Sequence, residues 1–341
     1  MDAEHFLRLS ATLLFLCVHN ADLAAPDTAA IVEGAIKMKI REIASGLRFP
    51  EGPVAMEDGS IVIVEIAAGK ITRIKSNGKK QTLATPGGGP NGLAIGSDGA
   101  LYVCNNGGSF EFHKRAGLLI PGHAPPSHTG GRIERVNISS GKVETLYTEF
   151  DGAPLIAPND LVFDTSGGFW FTDHGKTTAE GHLHGALFYA LADGSKVTLV
   201  LRDLISPNGV GLSPDGNTVY YAETYPGRLW SLPLDGPGKK GKVEGFTPGV
   251  FVGAYSGLGY FDSLGVQADG GVCVATILAG GITTFWPGKK KVRHTPIADP
   301  LVTNICWRGK NMKTAYVTAS GTGKLLALDW PQPGLRLAYN A

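Results

Sequence analysis

The stretch Arg48-Phe49-Pro50-Glu51-Gly52-Pro53-Val54-Ala55 sets a pattern that the rest of the chain repeats. A proline or aromatic residue is followed by an oxygen-bearing side chain, then a small residue, then a short strand-like run. The pattern returns as Pro90-Asn91-Gly92, Pro158-Asn159-Asp160, Pro207-Asn208-Gly209, Phe261-Asp262-Ser263 and Thr303-Asn304-Ile305. Glu51, Asn91, Asn159, Asn208, Asp262 and Asn304 stand 40, 68, 49, 54 and 42 residues apart. They read as equivalent positions in six copies of one unit, and a period of this size is the mark of a repeat architecture.

Each copy has the same internal grammar. In the first, Pro53–Met56 is a short strand, Glu57-Asp58-Gly59 turns, and Ser60–Glu65 returns. Lys70–Ile74 and Gln81–Ala84 follow, joined by Ser76-Asn77-Gly78. Asn-Gly and Asp-Gly are strong hairpin signals because both central residues accept positive φ. No window sustains a 3.6-residue apolar period without an intervening glycine or proline, so no long helix is expected. Four strands per unit and six units specify an all-β fold, a six-bladed β-propeller with four antiparallel strands per blade. A β-sandwich gives no reason to repeat one polar residue at the same place in every unit. The second unit carries a long insertion, residues 107–129, rich in aromatics, prolines and histidines, which reads as a lid over the channel mouth.

Bulk properties exclude several partners. The chain has 341 residues and a net charge of +1, which points away from nucleic acid and anionic membrane. Its 48 glycines are spread without a collagen period. Cys17, Cys104, Cys273 and Cys306 form no C-x-x-C pair and read as buried free thiols. Residues 1–37 read as an extension, and residues 38–341 as one propeller domain beginning at the strand-like Met38-Lys-Ile-Arg-Glu-Ile43. Ala11–Val18 is apolar and Ala21–Ala25 is small, as in a secretory signal, but Asp2 and Glu4 outweigh Arg8 where a signal carries positive charge. The expected location is therefore cytoplasmic, with secretion or a periplasmic location as the alternative.

The chemistry sits in the repeated polar residue. In a propeller the innermost strands line a central channel, so equivalent residues at their tops converge on one axis. The ring Glu51, Asn91, Asn159, Asn208, Asp262 and Asn304 offers two carboxylates and four amides. Asn or Asp in any one such motif is ordinary turn chemistry, but six in register, one of them a glutamate, point to a site. Oxygen donors suit a hard divalent cation, Ca²⁺ first, with Mg²⁺ or Mn²⁺ as alternatives. The absence of His and Cys from the ring argues against a dedicated zinc site, although Zn²⁺ and Fe²⁺ stay on the list of ions to test. His174, His182 and His184 read as mouth residues able to shape a substrate pocket. Gly236-Pro-Gly-Lys-Lys-Gly241-Lys242 matches a phosphate-loop spacing but lacks the following Ser or Thr, and reads as a hairpin. No G-x-S-x-G nucleophile elbow is present.

The motifs Phe49-Pro-Glu51-Gly-Pro53, Pro158-Asn159-Asp160-Leu161, Ser206-Pro207-Asn208-Gly209, Asp262-Ser263-Leu264-Gly265 and Val302-Thr303-Asn304-Ile305, in this order, resemble the gluconolactonase/regucalcin (senescence marker protein) family of six-bladed propellers. The resemblance covers about residues 40–330 and extends, more distantly, to diisopropyl fluorophosphatase. It implies a divalent-metal-dependent lactonase opening a sugar or other small lactone, with Glu51, Asn208 and Asp262 as metal ligands. Asn159 is implied as a further ligand or a group beside the metal, and Asp262 as the general base or nucleophile. Asn91 and Asn304 carry no catalytic role over and are expected to hydrogen-bond around the ring. Asn159, Asn91, His174, His182 and Asn304 are the candidate substrate contacts. Alternatives are phosphotriester or fluorophosphate hydrolysis at the same metal, or a calcium- or ligand-binding propeller without turnover.

Overall fold

The computed structural model describes residues 38–339. The extension read over residues 1–37 lies outside them. Strands dominate, and among the described residues the one regular helical element is a single 3₁₀ turn, Ile66–Ala68. No helix among the described residues is long and apolar enough to cross a membrane.

Six antiparallel sheets form six blades. Their inner strands are Pro50–Ala55, Pro90–Ile95, Pro158–Phe163, Pro207–Leu212, Tyr260–Val266 and Val302–Arg308. Each expected unit is therefore one blade, a β-propeller as the repeat predicts. The second strands read as unbroken apolar runs because both their faces are covered. With a side-chain period of two, alternate residues feed opposite blade interfaces. Leu101 and Val103 pack toward the first blade with Val54, Val62 and Val64. Tyr102 and Cys104, between and beyond them, pack toward the third with Phe163, Phe169 and Phe171. Trp170 turns the other way, onto Val219 and Tyr221 of the fourth blade. The core is thus a set of interfaces between blades, not one central body.

The ring of blades closes through the N-terminal strand. Ile40–Ala44 pairs antiparallel with Lys324–Asp329 and supplies the outer strand of the sixth blade. The phosphate-loop lookalike is a hairpin, as expected: Lys239–Lys240 pairs back onto Leu234 and Gly236. Beyond the last strand, residues 330–339 turn under the molecule. Leu335 N donates to Val266 O at 2.8 Å and Gly334 N to Met312 O at 2.8 Å, and Tyr339 packs edge-on against Phe163 with ring centroids 5.6 Å apart.

Candidate functional site

All six repeated residues lie at the second or third position of an inner strand. Each inner strand breaks register with its neighbour there, between Glu51 and Val54, Pro90 and Leu93, Pro158 and Leu161, Pro207 and Val210, Phe261 and Leu264, and Val302 and Asn304. A bulge re-aims a side chain out of the pleat, so six bulges at one level turn six polar residues toward one axis. In the first four blades the chain entering the bulge is fastened by a side chain at the end of the second strand. Glu65 accepts from Arg48 N at 2.8 Å, Asp173 from Ile156 N and Ala157 N at 2.6 and 2.8 Å, and Glu223 from Ile205 N at 2.7 Å. In the second blade Asn105 does the same for Gly89 N at 3.0 Å.

The ring is buried. Glu51 is 2% exposed, Asn91 4%, Asn159 3%, Asn208 5% and Asn304 6%. Asn304 Nδ2 donates to Glu51 Oε2 at 2.7 Å, joining the sixth blade to the first. Gly52 N also donates to Glu51 Oε2. Asn208 Nδ2 donates to Thr224 Oγ1 at 3.1 Å, and Ser263 Oγ donates to Asn208 Oδ1 at 3.4 Å. Asp262 accepts from Ser263 N at 3.0 Å. Burial, followed by repulsion from Asp262 and Asp160, pushes Glu51 well above the usual carboxylate range. Burial likewise raises Asp262, against a hydrogen bond from Asn208 that favours its ionised form.

Asp160 is the member that the sequence reading passed over. Burial pushes it up to about 7, offset by hydrogen bonds from Leu161 N, Ser263 and Val210. Its field reaches both Glu51 and Asp262, so three carboxyl groups share the channel. The residue after the ring position is glycine in the first, second and fourth blades and aspartate in the third, a departure visible in the sequence but with no repeat to give it meaning.

The ring can hold a cation. Glu51 Oε1 and Asn159 Oδ1 are buried with no hydrogen-bond partner, and an orphaned buried oxygen is costly unless something else satisfies it. Burial raises all three carboxyl groups, with mutual repulsion adding to it for Glu51 and Asp262, and a bound cation would favour their ionised forms. Among the described residues no three His, Cys, Asp or Glu side chains come together as a metal-holding group. The donor set at the ring is carboxylates mixed with amide oxygens, the kind a hard cation accepts.

Above the ring lie the loops between the second and third strands of each blade. The 107–129 insertion is one of them. It contains a hairpin, Phe112–Arg115 with Leu118–Pro121, and it is tied to neighbours on both sides: Leu119 N donates to Gly321 O at 2.9 Å and Ala124 N to Thr177 O at 2.9 Å. Phe112 packs on Phe49 with centroids 5.1 Å apart. His174 follows Asp173 into the same layer, 4% exposed, its Nδ1 without a partner. Burial, helped by His182, lowers it to about 4, so it is neutral. His182 lies between Thr177 Oγ1 on Nδ1 at 3.0 Å and Ser206 Oγ on Nε2 at 3.2 Å, with the His184 ring 5.7 Å away. The structure thus pairs Glu51 with Asn304 and Asn208 with Asp262, with the two carboxyl groups near enough to repel, sets Asn91 and Asn159 at the matching register, and puts His174 and His182 in the mouth.

Residues 49–321 match the profile of the SMP-30/Gluconolactonase/LRE-like region. A lactonase drp35 from Staphylococcus haemolyticus is 28% identical over 238 residues, 69% of this chain and 65% of its own length. The chain therefore spans just under two thirds of that relative. A gluconolactonase from Xanthomonas campestris has the same fold, with a TM-score of 0.68 and 18% identity over 90% of this chain and 94% of that one. So has a calcium-binding protein, regucalcin, from Agrobacterium tumefaciens, with a TM-score of 0.64 and 19% identity over 88% and 98%.

Proposed function

Because the chain belongs to the SMP-30/gluconolactonase/LRE-like family, we propose that it is a divalent-metal-dependent hydrolase that opens a small lactone. The observation that carries the reading is the pair of orphaned oxygens, Glu51 Oε1 and Asn159 Oδ1, in a ring whose two carboxyl groups stand beside a third, Asp160. Lactonase activity in the drp35 relatives supports the substrate class.

Glu51, Asn208 and Asp262 would hold the cation, Ca²⁺ being the first choice for an all-oxygen set, with Asn159 beside it. When bound, such an ion supplies Lewis-acid polarisation of the lactone carbonyl. The chain's own residues do the rest. Asp262 orients the attacking water and takes its proton, for which a carboxyl shielded from bulk water is suited. Asn304 fixes the Glu51 carboxylate through its 2.7 Å hydrogen bond, so that the free Oε1 faces a constant direction. Thr224 does the same for Asn208, spending the amide N–H₂ so that Oδ1 remains the acceptor. His174, neutral across the physiological range, offers the bound lactone a hydrogen-bonding group without adding charge.

The test is lactone hydrolysis by purified protein, stripped with chelator and refilled with Ca²⁺, Mg²⁺, Mn²⁺, Zn²⁺ or Fe²⁺. Activity is expected to vanish on stripping and return with one ion. Asp262→Asn is expected to lower kcat about 10²- to 10⁴-fold, and Glu51→Gln to weaken ion binding measured by calorimetry. Tight ion binding with no turnover of sugar, aliphatic or aromatic lactones would sink the hydrolase and leave a binding propeller.

A further inference from the structure

One side of the mouth is built differently from the ring it leads to. Leu183, Ile205, Tyr225 and Leu258 are 52%, 37%, 42% and 58% exposed, and all lie on the loops that rim the mouth over the third to fifth blades. A row of rings runs through them. Phe110 and His174 have centroids 6.0 Å apart, His174 and Tyr225 6.2 Å, His182 and Tyr225 5.7 Å, and Tyr225 and Tyr260 5.7 Å. The row descends to the ring itself, since Tyr260 opens the inner strand that carries Asp262, and Ser206, bonded to His182, stands two residues before Asn208.

Several polar atoms along this row are already used. Tyr225 OH is bonded to Thr177 Oγ1 at 3.0 Å, and both nitrogens of His182 are engaged, with Thr177 and Ser206. Tyr225 and His182 therefore turn mainly carbon and ring face outward. A site that discriminates among hydroxyl groups does so by leaving matched donors and acceptors open, and of the fully buried polar atoms in this row His174 Nδ1 alone is left without a partner. Contiguous exposed apolar surface beside a site is what apolar ligand groups occupy.

We propose that Tyr225, Leu258, Tyr260 and Leu183 determine specificity. Resting on the lactonase reading above, the substrate is a lactone whose ring carries an apolar substituent, an alkyl or aryl group lying along this wall, in preference to a polyhydroxylated sugar lactone. The ester end meets the oxygen-lined ring, and the substituent meets the rim.

The experiment is a series of lactones of one ring size bearing no substituent or unbranched alkyl groups of two, four and six carbons, with a sugar-derived lactone alongside, assayed on the Ca²⁺-loaded full chain. kcat/KM is expected to rise about two- to fourfold per added methylene and to exceed that for the sugar lactone. Tyr225→Ala and Leu258→Ala are expected to flatten the rise, whereas Tyr225→Phe, which keeps the ring, retains it. A flat or falling series, a preference for the sugar lactone, or a slope unchanged in both alanine variants overturns the proposal. If no lactone is opened, the fault lies with the hydrolase reading, and calorimetric binding of the matching alkyl lactams decides the wall separately. Affinity climbing with chain length then sustains it, and equal affinities overturn it. A dimer in sedimentation that Tyr225→Glu dissociates would also overturn it, by assigning the patch to a second copy of the chain.

Discussion

His174 is a residue whose surroundings can be weighed directly. An imidazole in water titrates near 6.5, but this one is desolvated and stays neutral down to about 4. Between those values the unfolded chain binds a proton that the folded chain refuses. Stability therefore rises with pH across the window and is lost as pH falls from about 6.5 toward about 4. At pH 5 the loss from this residue is on the order of 2 kcal/mol. Asp173 and Asp160, raised by burial, act with the opposite sign, so the net curve alone does not isolate the histidine. The difference between wild type and His174→Phe does: wild type should lose about 2 kcal/mol more than the variant between pH 7.5 and pH 5 in denaturant titrations. Equal losses would mean that His174 is solvated in the folded protein. At this scale the sequence was legible where repetition spoke. Asn91 or Asn208 alone looks like a turn, and only six copies in register made a ring visible. Asp160 escaped because a lone carboxylate beside a ring asparagine carries no periodicity, and its meaning comes from Glu51 and Asp262, over a hundred residues away on one side or the other.

At the scale of the strand, the inner strands approach one another more closely than side chains allow. A Cβ on Gly92 would stand 2.6 Å from both Asn159 O and Asp160 Cα, and one on Gly209 would collide with the backbone of Ser263 and Leu264. Neither glycine has positive φ, so the requirement is space and not backbone conformation. Gly216 presents the reverse case, φ +71° with nothing within 4 Å of its missing Cβ. Gly92→Ala is therefore expected to cost about 2–3 kcal/mol through crowding at the ring, and Gly216→Ala about 1 kcal/mol through conformation alone. Urea unfolding of the two variants compares them, and a Gly216 variant as damaged as the Gly92 variant would refute crowding as the cause. The strands themselves could be read from apolar runs and Asp-Gly turns such as Asp58-Gly59 and Asp98-Gly99. The bulges could not, because a bulge is an offset between two strands and leaves no mark in the composition of either. The hairpin inside the 107–129 insertion was equally silent: Phe112–Arg115 shows no alternation, and its pairing with Leu118–Pro121 is supported by Phe49 of the first blade and Gly321 of the sixth.

The whole molecule is a closed ring with a channel, and both ends of the described chain serve it. Ile40–Ala44 locks the first blade to the sixth. The sequence offered a strand-like stretch there but nothing to name its partner almost 290 residues on. The other end crosses the channel's lower opening. A cavity of about 90 Å³ lies beneath the ring, walled by inner-strand residues including Val54, Leu93, Val162, Leu212 and Cys306, and bounded below by Met312, Leu335 and Leu337. The crossing segment is held by Ala268 N to Pro333 O at 2.9 Å as well as by the bonds from Gly334 and Leu335. If this segment is the floor, water and solutes reach the ring from the mouth alone, and Cys306 reports it. The Cys306 side chain is half-buried, and desolvation still pushes its thiol up to about 12, so removing the floor admits more reagent and lowers the thiol pKa together, and both speed attack. In a Cys17→Ser background, ending the chain after Trp330 should raise Cys306 labelling by a small disulfide reagent at least about tenfold. Leu337→Asp, which keeps the backbone bonds, should raise it less. Cys104 and Cys273, fully buried between blades, label only when the fold opens and so separate local exposure from unfolding. Labelling of Cys306 at one rate in all three proteins would mean that the channel is open from below in the full chain. Labelling of all three thiols together in the truncated protein would instead make the tail part of the global fold, and Leu337→Asp would then carry the decision.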